Sequence, residues 1–504
     1  MIIEKIKLLK FTALIILLPF LGFTQKIEII DSNVVQEYKD INFETLKTSS
    51  HLYVIQDKYE MNVPMDRNVQ VDVYDNDLNN VGSSLVDDKT LSGEEPNIFE
   101  GFHVIGDKLY LFKSNYNMSK KEHELFYYPI STSGEKGKGS MLTSFSSEKA
   151  MNAGNFHLNV SPDGSKIGVF IEMPFERKED ERCIVQVYDK NFSELWQKDY
   201  EFPYRSVRGP KNELFINNQG ITFVVKTPDV KKQLDFHTVF TFLDNGSEVV
   251  ESLFEMSSDL VMSTFKSNFS ENDDLILSGF YYTDKKFGVN VSAPNGLFYV
   301  KLNSADGSIA VQKSEEMKGN LQDLKAVSAL LVNGDEVILT AERIVEDKKA
   351  QNPGSTEVEY DFEYKNERVM MFYITSAGAI KWQETVKRNA NSMNDGGKTN
   401  NTFTWIGDNE IHVLFRDHKY KHDGTDSKVI GPSKASIYVP VIFSFNIETG
   451  EKSSNYIKHK RIGDKFGTFR LILGTGYKID ANNCFMIAAE NDSRRKLVST
   501  KVSL

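Results

Sequence analysis

Seven stretches of this 504-residue chain share one pattern, in which alternating apolar residues run into Asp, Asn, Ser or Thr and often then Gly: "VDVYDNDLNN", "FYYPISTSGEK", "VQVYDKNFSE", "FTFLDNGSE", "YVKLNSADGS", "FYITSAGAI" and "FSFNIETGE". Each reads as a β-strand entering a hairpin turn. The last apolar residue before each turn is Tyr74, Ile130, Tyr188, Leu243, Leu302, Ile374 or Ile447, and these lie 56, 58, 55, 59, 72 and 73 residues apart. No convincing helical heptads break the series. A strand-only unit recurring at that interval buries its apolar faces by stacking against copies of itself, which points to a radial array of small sheets.

Upstream of each marker lies a second apolar run: "HLYVIQ", "KLYLFKS", "KIGVFIE", "ITFVVKT", "DLILSGF", "EVILTAE" and "EIHVLFR", with an eighth, "CFMIAAE", at Cys484. Continuous apolar character marks strands covered on both faces. Each unit therefore reads as strand, inner strand, charged loop, strand, hairpin and outer strand, a four-stranded blade, and the expected fold is an all-β, eight-bladed β-propeller. Leu504 stands 57 residues after Ile447, so the eighth unit stops before its outer strand. An unpaired edge there would leave the ring open. The segment "KIEIID", residues 26–31, alternates as a sheet strand should and is expected to close the ring on the outside of the last blade. The two cysteines, Cys183 and Cys484, fall in the third and eighth blades, too far apart to bond, and two buried free thiols are expected.

Lys5, Lys7 and Lys10 precede an apolar run from Phe11 to Leu21, with Gly22 and Thr24 before Gln25. This is the form of an export signal cleaved after residue 24, and the run is short for a membrane span. The expected organisation is a signal peptide over residues 1–24 and a single propeller domain over residues 25–504, in the periplasm or outside the cell. Losing three lysines and one glutamate leaves 57 basic and 70 acidic side chains. That balance argues against nucleic acid, whose phosphates need clustered cations. No later segment is long and apolar enough to cross a membrane as a helix.

The stretch "NVSPDGSKIGVFIE", residues 159–172, resembles the Ser-Pro-Asp-Gly repeat of TolB-like propellers. "SELWQKD" and "GAIKWQETV" set Trp196 and Trp382 just after the hairpin turn, similar to the tryptophan position of quinoprotein-type eight-bladed propellers, a repeat family that includes non-enzymatic envelope scaffolds. These likenesses imply the architecture rather than an activity, since propellers host many unrelated functions.

Nucleophile-elbow, zinc-protease, haem-attachment and phosphate-loop motifs are absent from the sequence, and no cofactor is expected. Asp75, Asp77 and Asn79 are spaced like the start of a calcium loop, but without the glycine and glutamate that should follow, so a solvated turn is expected. His418 and His422 lie between Asp417 and Asp423, and with no third ligand in view no metal site is expected there. The connection after the inner strand is far longer in two adjacent units, at residues 346–366 and 416–436. Long loops without structure of their own tend to be functional or disordered. These two should rise side by side from one face, bringing Tyr360, Phe362 and Tyr364 near His418, Tyr420 and His422 as a surface for a protein or a glycan. The reading is of a non-enzymatic binding protein. The alternatives are a carbohydrate-active hydrolase or lyase with acids at the central channel, and a purely structural module.

Overall fold

The computed structural model describes residues 26–34, 41–59, 67–87, 98–227, 237–254, 261–282, 294–317, 321–350, 360–393, 401–418, 421, 438–457, 469–490 and 496–504. They form eight four-stranded antiparallel sheets arranged as the blades of a propeller. Blades one to seven take residues 41–87, 98–146, 155–205, 211–253, 261–316, 324–393 and 403–456, each in simple sequence order. The apolar runs singled out above are the second strands. In blade three, Lys166–Glu172 is buried at every position after the first, because neighbouring blades cover both of its faces. At about 1.5–3 kcal/mol for each buried large apolar side chain, these eight strands are the main source of stability. First strands of successive blades touch one another and so line the axis, which leaves the fourth strands at the rim.

The eighth blade is made from both ends of the described chain. Lys26–Val34 pairs antiparallel with Lys496–Ser503, from Lys26 opposite Ser503 to Val34 opposite Lys496, and supplies the fourth strand that the sequence lacked. The ring then shuts between blades eight and one. Ile472, Phe485 and Ile487 pack with Leu52, Val54 and Tyr74, and Thr45 Oγ1 donates to the Thr475 carbonyl at 2.9 Å.

The recurrent hairpin turn proves to be a clip between blades. Gly246, at the third-to-fourth turn of blade four, has φ +78°, and a Cβ there would lie 2.9 Å from the Trp196 ring on blade three. Gly450 of blade seven sits on Trp382 of blade six in the same way, at 2.8 Å and φ +71°. The indole Nε1 of Trp382 donates to the Ile447 carbonyl at 2.9 Å. Only glycine combines that backbone region with so close an approach. Blades one and three use a side chain in place of the glycine. Leu78, at φ 66°, joins the cluster with Phe485, and Phe192, at φ 64°, stacks on Tyr127 of blade two with ring centres 3.7 Å apart. The Asp75 turn is the Asx turn expected there, its carboxylate accepting from the Asn79 amide at 2.9 Å.

Cys183 in blade three and Cys484 in blade eight are both free and buried. The connection over residues 346–366 differs from the loop that was expected. The second strand of blade six runs over Glu336–Ala350 and the third over Tyr360–Ile374, so residues 346–350 and 360–366 are paired strand. Of the second expected loop, residues 416–418 end the strand Glu410–His418, and all the rest except Lys421 lie outside the described residues.

Candidate functional site

In blade six the first strand, Leu324–Val332, ends its pairing at Arg343, yet the second and third strands continue together from Ile344 opposite Asn366 to Ala350 opposite Tyr360. The fourth strand, Ile380–Met393, follows as far as Met393 opposite Glu363. At a rise of about 3.4 Å per residue, these seven extra residues make an arm roughly 23 Å long. Ion pairs across and along its strands hold it. Lys349 meets Glu363, and Lys365 meets both Asp347 and Glu363. Lys348 lies over the Phe362 ring, 5.7 Å from its centre.

At the foot of the arm a charged seam joins blade six to blade seven. Glu342 is fully buried, and its Oε2 accepts from Asn366 Nδ2 at 2.8 Å and from Arg388 Nη2 at 3.4 Å. The Arg388 guanidinium also donates to Thr402 Oγ1 at 3.0 Å and lies over the Phe415 ring. Burial pulls its pKa down, while Glu342 on one side and Asp417 on the other hold the charge in place. Asp417 Oδ1 accepts from the Asn389 amide at 3.0 Å and from Lys421 Nζ at 2.9 Å. Arg388 thus sits between two carboxylates from different blades, a position suited to a planar, permanently charged group.

The residues expected to meet on this face are partly accounted for. Phe362 and Tyr364 are half-buried on the arm, and Tyr360 lies on the same strand, where its side chain is outside the described residues. His418 is buried and stacks on Tyr438 with ring centres 4.3 Å apart. Tyr420 and His422 lie outside the described residues. Among the described residues no group of three or more His, Cys, Asp or Glu side chains is placed to hold a metal ion. No described helix is long and apolar enough to cross a membrane.

A second polar region, which sequence reasoning left without residues, lies along the first strands of blades one to four. Glu44 and Glu213 are exposed and Glu100 half-buried, and the surrounding protein displaces enough water to raise all three carboxyl pKa values, with Asp57 adding to the effect at Glu44. His157 Nε2 stands 3.1 Å from Glu172 Oε1 and within electrostatic reach of Glu100 and Glu213. Behind it, Asn212 Nδ2 donates to Glu172 Oε1 at 2.9 Å and to Glu181 Oε1 at 3.2 Å, and the buried Lys226 Nζ meets Glu181 Oε2 at 2.6 Å. The isolated acids carry no motif spacing, because each comes from a different blade.

No protein-family model matches the sequence, and no curated protein matches it. Among solved structures the chain is similar to the WD40 domain of SCAP from fission yeast, at 10% identity over 96% of this chain and 98% of that one, with a TM-score of 0.36. It is similar to an α-L-arabinanase from Penicillium chrysogenum at 11% identity, over 63% and 93% of the two chains, with a TM-score of 0.34. An acylaminoacyl peptidase matches at 12% identity over 75% of this chain, with a TM-score of 0.35, and the chain spans 58% of that protein's length. Domains without a stated reaction and hydrolases stand side by side here, so these likenesses do not choose a function.

Proposed function

We propose that this chain is an exported, non-enzymatic propeller that binds a protein or a glycan in the cell envelope or outside the cell, through the face that carries the blade-six arm. The observation behind this reading is the arm itself, a three-stranded extension anchored at its foot by Glu342, Arg388 and Asp417. An ordered projection on a rigid scaffold is a usual way for a propeller to present a recognition surface. Its half-buried aromatic residues and alternating charges suit a mixed polar and aromatic interface. The turn at Ser161–Gly164 and the tryptophans at 196 and 382 fit a place among TolB-like and quinoprotein-like scaffolds. The test replaces residues 346–364 with a two-residue Asn-Gly turn, which keeps Asn366 at the foot, and compares capture of envelope proteins and glycans by the two forms. Loss of the same identified ligand from the shortened form supports the reading, and equal capture by both forms rejects it.

A second reading, a carbohydrate-active hydrolase or lyase, draws on Glu100 and Glu213, whose raised carboxyls near His157 are the kind of groups that acid and base chemistry uses. Turnover of a polysaccharide by the parent protein, abolished in Glu213→Gln or Glu100→Gln, would establish it. No turnover across a polysaccharide panel leaves the binding reading in place.

A further inference from the structure

In an up-and-down blade, first-to-second and third-to-fourth turns emerge on one face, and second-to-third hairpins emerge on the other. The arm therefore occupies one face. The opposite face carries a cleft of about 400 Å³ between blades one and two, walled by the turns around Ser50, Asp107 and Thr132. We propose that this cleft binds a neutral, polyhydroxylated ligand, the terminal sugar of a glycan.

Its size lies within the range of small-ligand sites, about 300–1,000 Å³. Its walls are set in advance by their own hydrogen bonds. In the third-to-fourth turn of blade two, the Ser131 amide donates to the Glu135 carbonyl at 2.9 Å, Gly134 to Ser131 at 2.9 Å, and Gly137 to Pro129 at 2.8 Å. That turn is seated on blade one so closely that a Cβ on Gly82 would lie 2.3 Å from the Ser133 carbonyl oxygen. Across the cleft, Asp107 ties the two first-to-second turns together by accepting from both the amide and the hydroxyl of Ser49. A site held this way loses little freedom when a ligand enters.

The lining chemistry selects the ligand. Tyr53 and Ile130, 2% and 5% exposed, make an apolar floor. Above it stand hydroxyls such as Thr132, which donate and accept, with Glu135 and Lys136 adding one charge of each sign. A sugar hydroxyl also donates and accepts, and so finds a partner at either kind of group. An anion would face Glu135 and Asp107, and a cation would face Lys136 and Lys108. The walls are turns with no free strand edge, so an extended peptide has no backbone to pair with.

The assignment deepens the glycan half of the proposed function but places it on a different face from the arm, and the experiment keeps the two apart. Saturation-transfer NMR and calorimetry on the full mature chain would use the methyl glycosides of glucose, galactose and mannose together with N-acetylglucosamine. At least one should bind, at a Kd on the order of 1 mM for a single sugar. Thr132→Trp, at an exposed position, should fill the cleft and abolish binding, and Glu135→Gln should weaken it about tenfold. The form lacking the arm should bind as well as the parent. Absence of binding by every probe overturns the proposal, and so does binding that survives Thr132→Trp in a protein with an unchanged melting temperature. If Thr132→Trp does not fold, Glu135→Gln decides alone: weakened binding supports the site, and unchanged binding rejects it.

Discussion

The junctions between blades three and four and between blades six and seven both carry buried charge, and they solve the same problem with different cations. Between blades three and four, Lys226 reaches Glu181, while Asn212 bridges Glu181 to Glu172 and Glu172 ends on His157. Between blades six and seven, Arg388 lies between Glu342 and Asp417. Both networks are built around the ends of second strands, where a strand leaves the apolar interior for its hairpin. The lysine seam needs an amide to spread one point charge over two carboxylates. In the arginine seam one rigid group pairs with Glu342 and lies within electrostatic reach of Asp417 on the next blade, and this is the seam with a long arm above it. The junction between blades eight and one is a third case, packed mainly by Leu52, Val54, Tyr74, Ile472, Phe485 and Ile487.

The largest expected effect comes from removing the strand that completes the eighth blade beside that junction. Deleting residues 26–31 should cost several kcal/mol, at ~1 kcal/mol net for each of about four or five ladder bonds. An unchanged melting temperature would show that the ring does not depend on this strand. Next, Arg388→Met leaves Glu342 buried with the Asn366 amide as its remaining partner, while Asp417 keeps Lys421, and should cost about 3–5 kcal/mol in urea denaturation. Lys226→Met should fall toward the lower end of that range, near 3 kcal/mol, because Asn212 still serves both carboxylates of its seam. A larger loss for Lys226 than for Arg388 would reverse the comparison. Replacing both members of the lysine pair, as Lys226→Met with Glu181→Leu, should recover most of the loss, to within about 1 kcal/mol of the parent.

Acid should separate the seam from the channel by sign. Burial pushes Glu172 up, but the His157 contact and the Asn155 and Asn212 amides outweigh it and carry its pKa below 4.5. Its contribution is therefore present above the unfolded value and is lost as pH falls through the folded one. Glu213, exposed but partly desolvated by its neighbours, is raised, so its contribution is full below 4.5 and is lost as pH rises through its folded value. Glu213→Gln should accordingly be more stable than the parent at neutral pH, by under about 1 kcal/mol, with the difference vanishing near pH 4. A difference that grows on acidification would be the wrong sign. Trimming the arm should have the smallest effect on folding, because its ion pairs are largely solvated, each worth about 0–1 kcal/mol.

The blades were legible because the second strands, buried on both faces, leave an apolar signal that recurs eight times, and because the absent last strand had an obvious substitute at residues 26–31. The arm was misread for a physical reason. Its strands face solvent, so they carry charge where buried strands carry valine and isoleucine. One signal was present. Tyr360, Phe362 and Tyr364 alternate with period two, and that is strand spacing, not loop composition. The seams left less trace. Arg388 meets Glu342 across 46 residues of sequence, and Lys226 meets Glu181 across 45, so no local pattern announces either pair. The channel acids were foreseen as a class, and their identities depended on which blades abut.

The two-ended eighth blade also sets the order of events in assembly. Residues 26–34 leave the ribosome long before residues 496–503, and they have no partner strand until that last segment arrives. Contacts so remote in sequence fold slowly, because the intervening chain must first be brought into register. Until then both borders of the nascent arc lie open to other chains. A polypeptide cut short anywhere before its final strand loses the seal as well as the missing segment, so length control during synthesis is quality control of the ring.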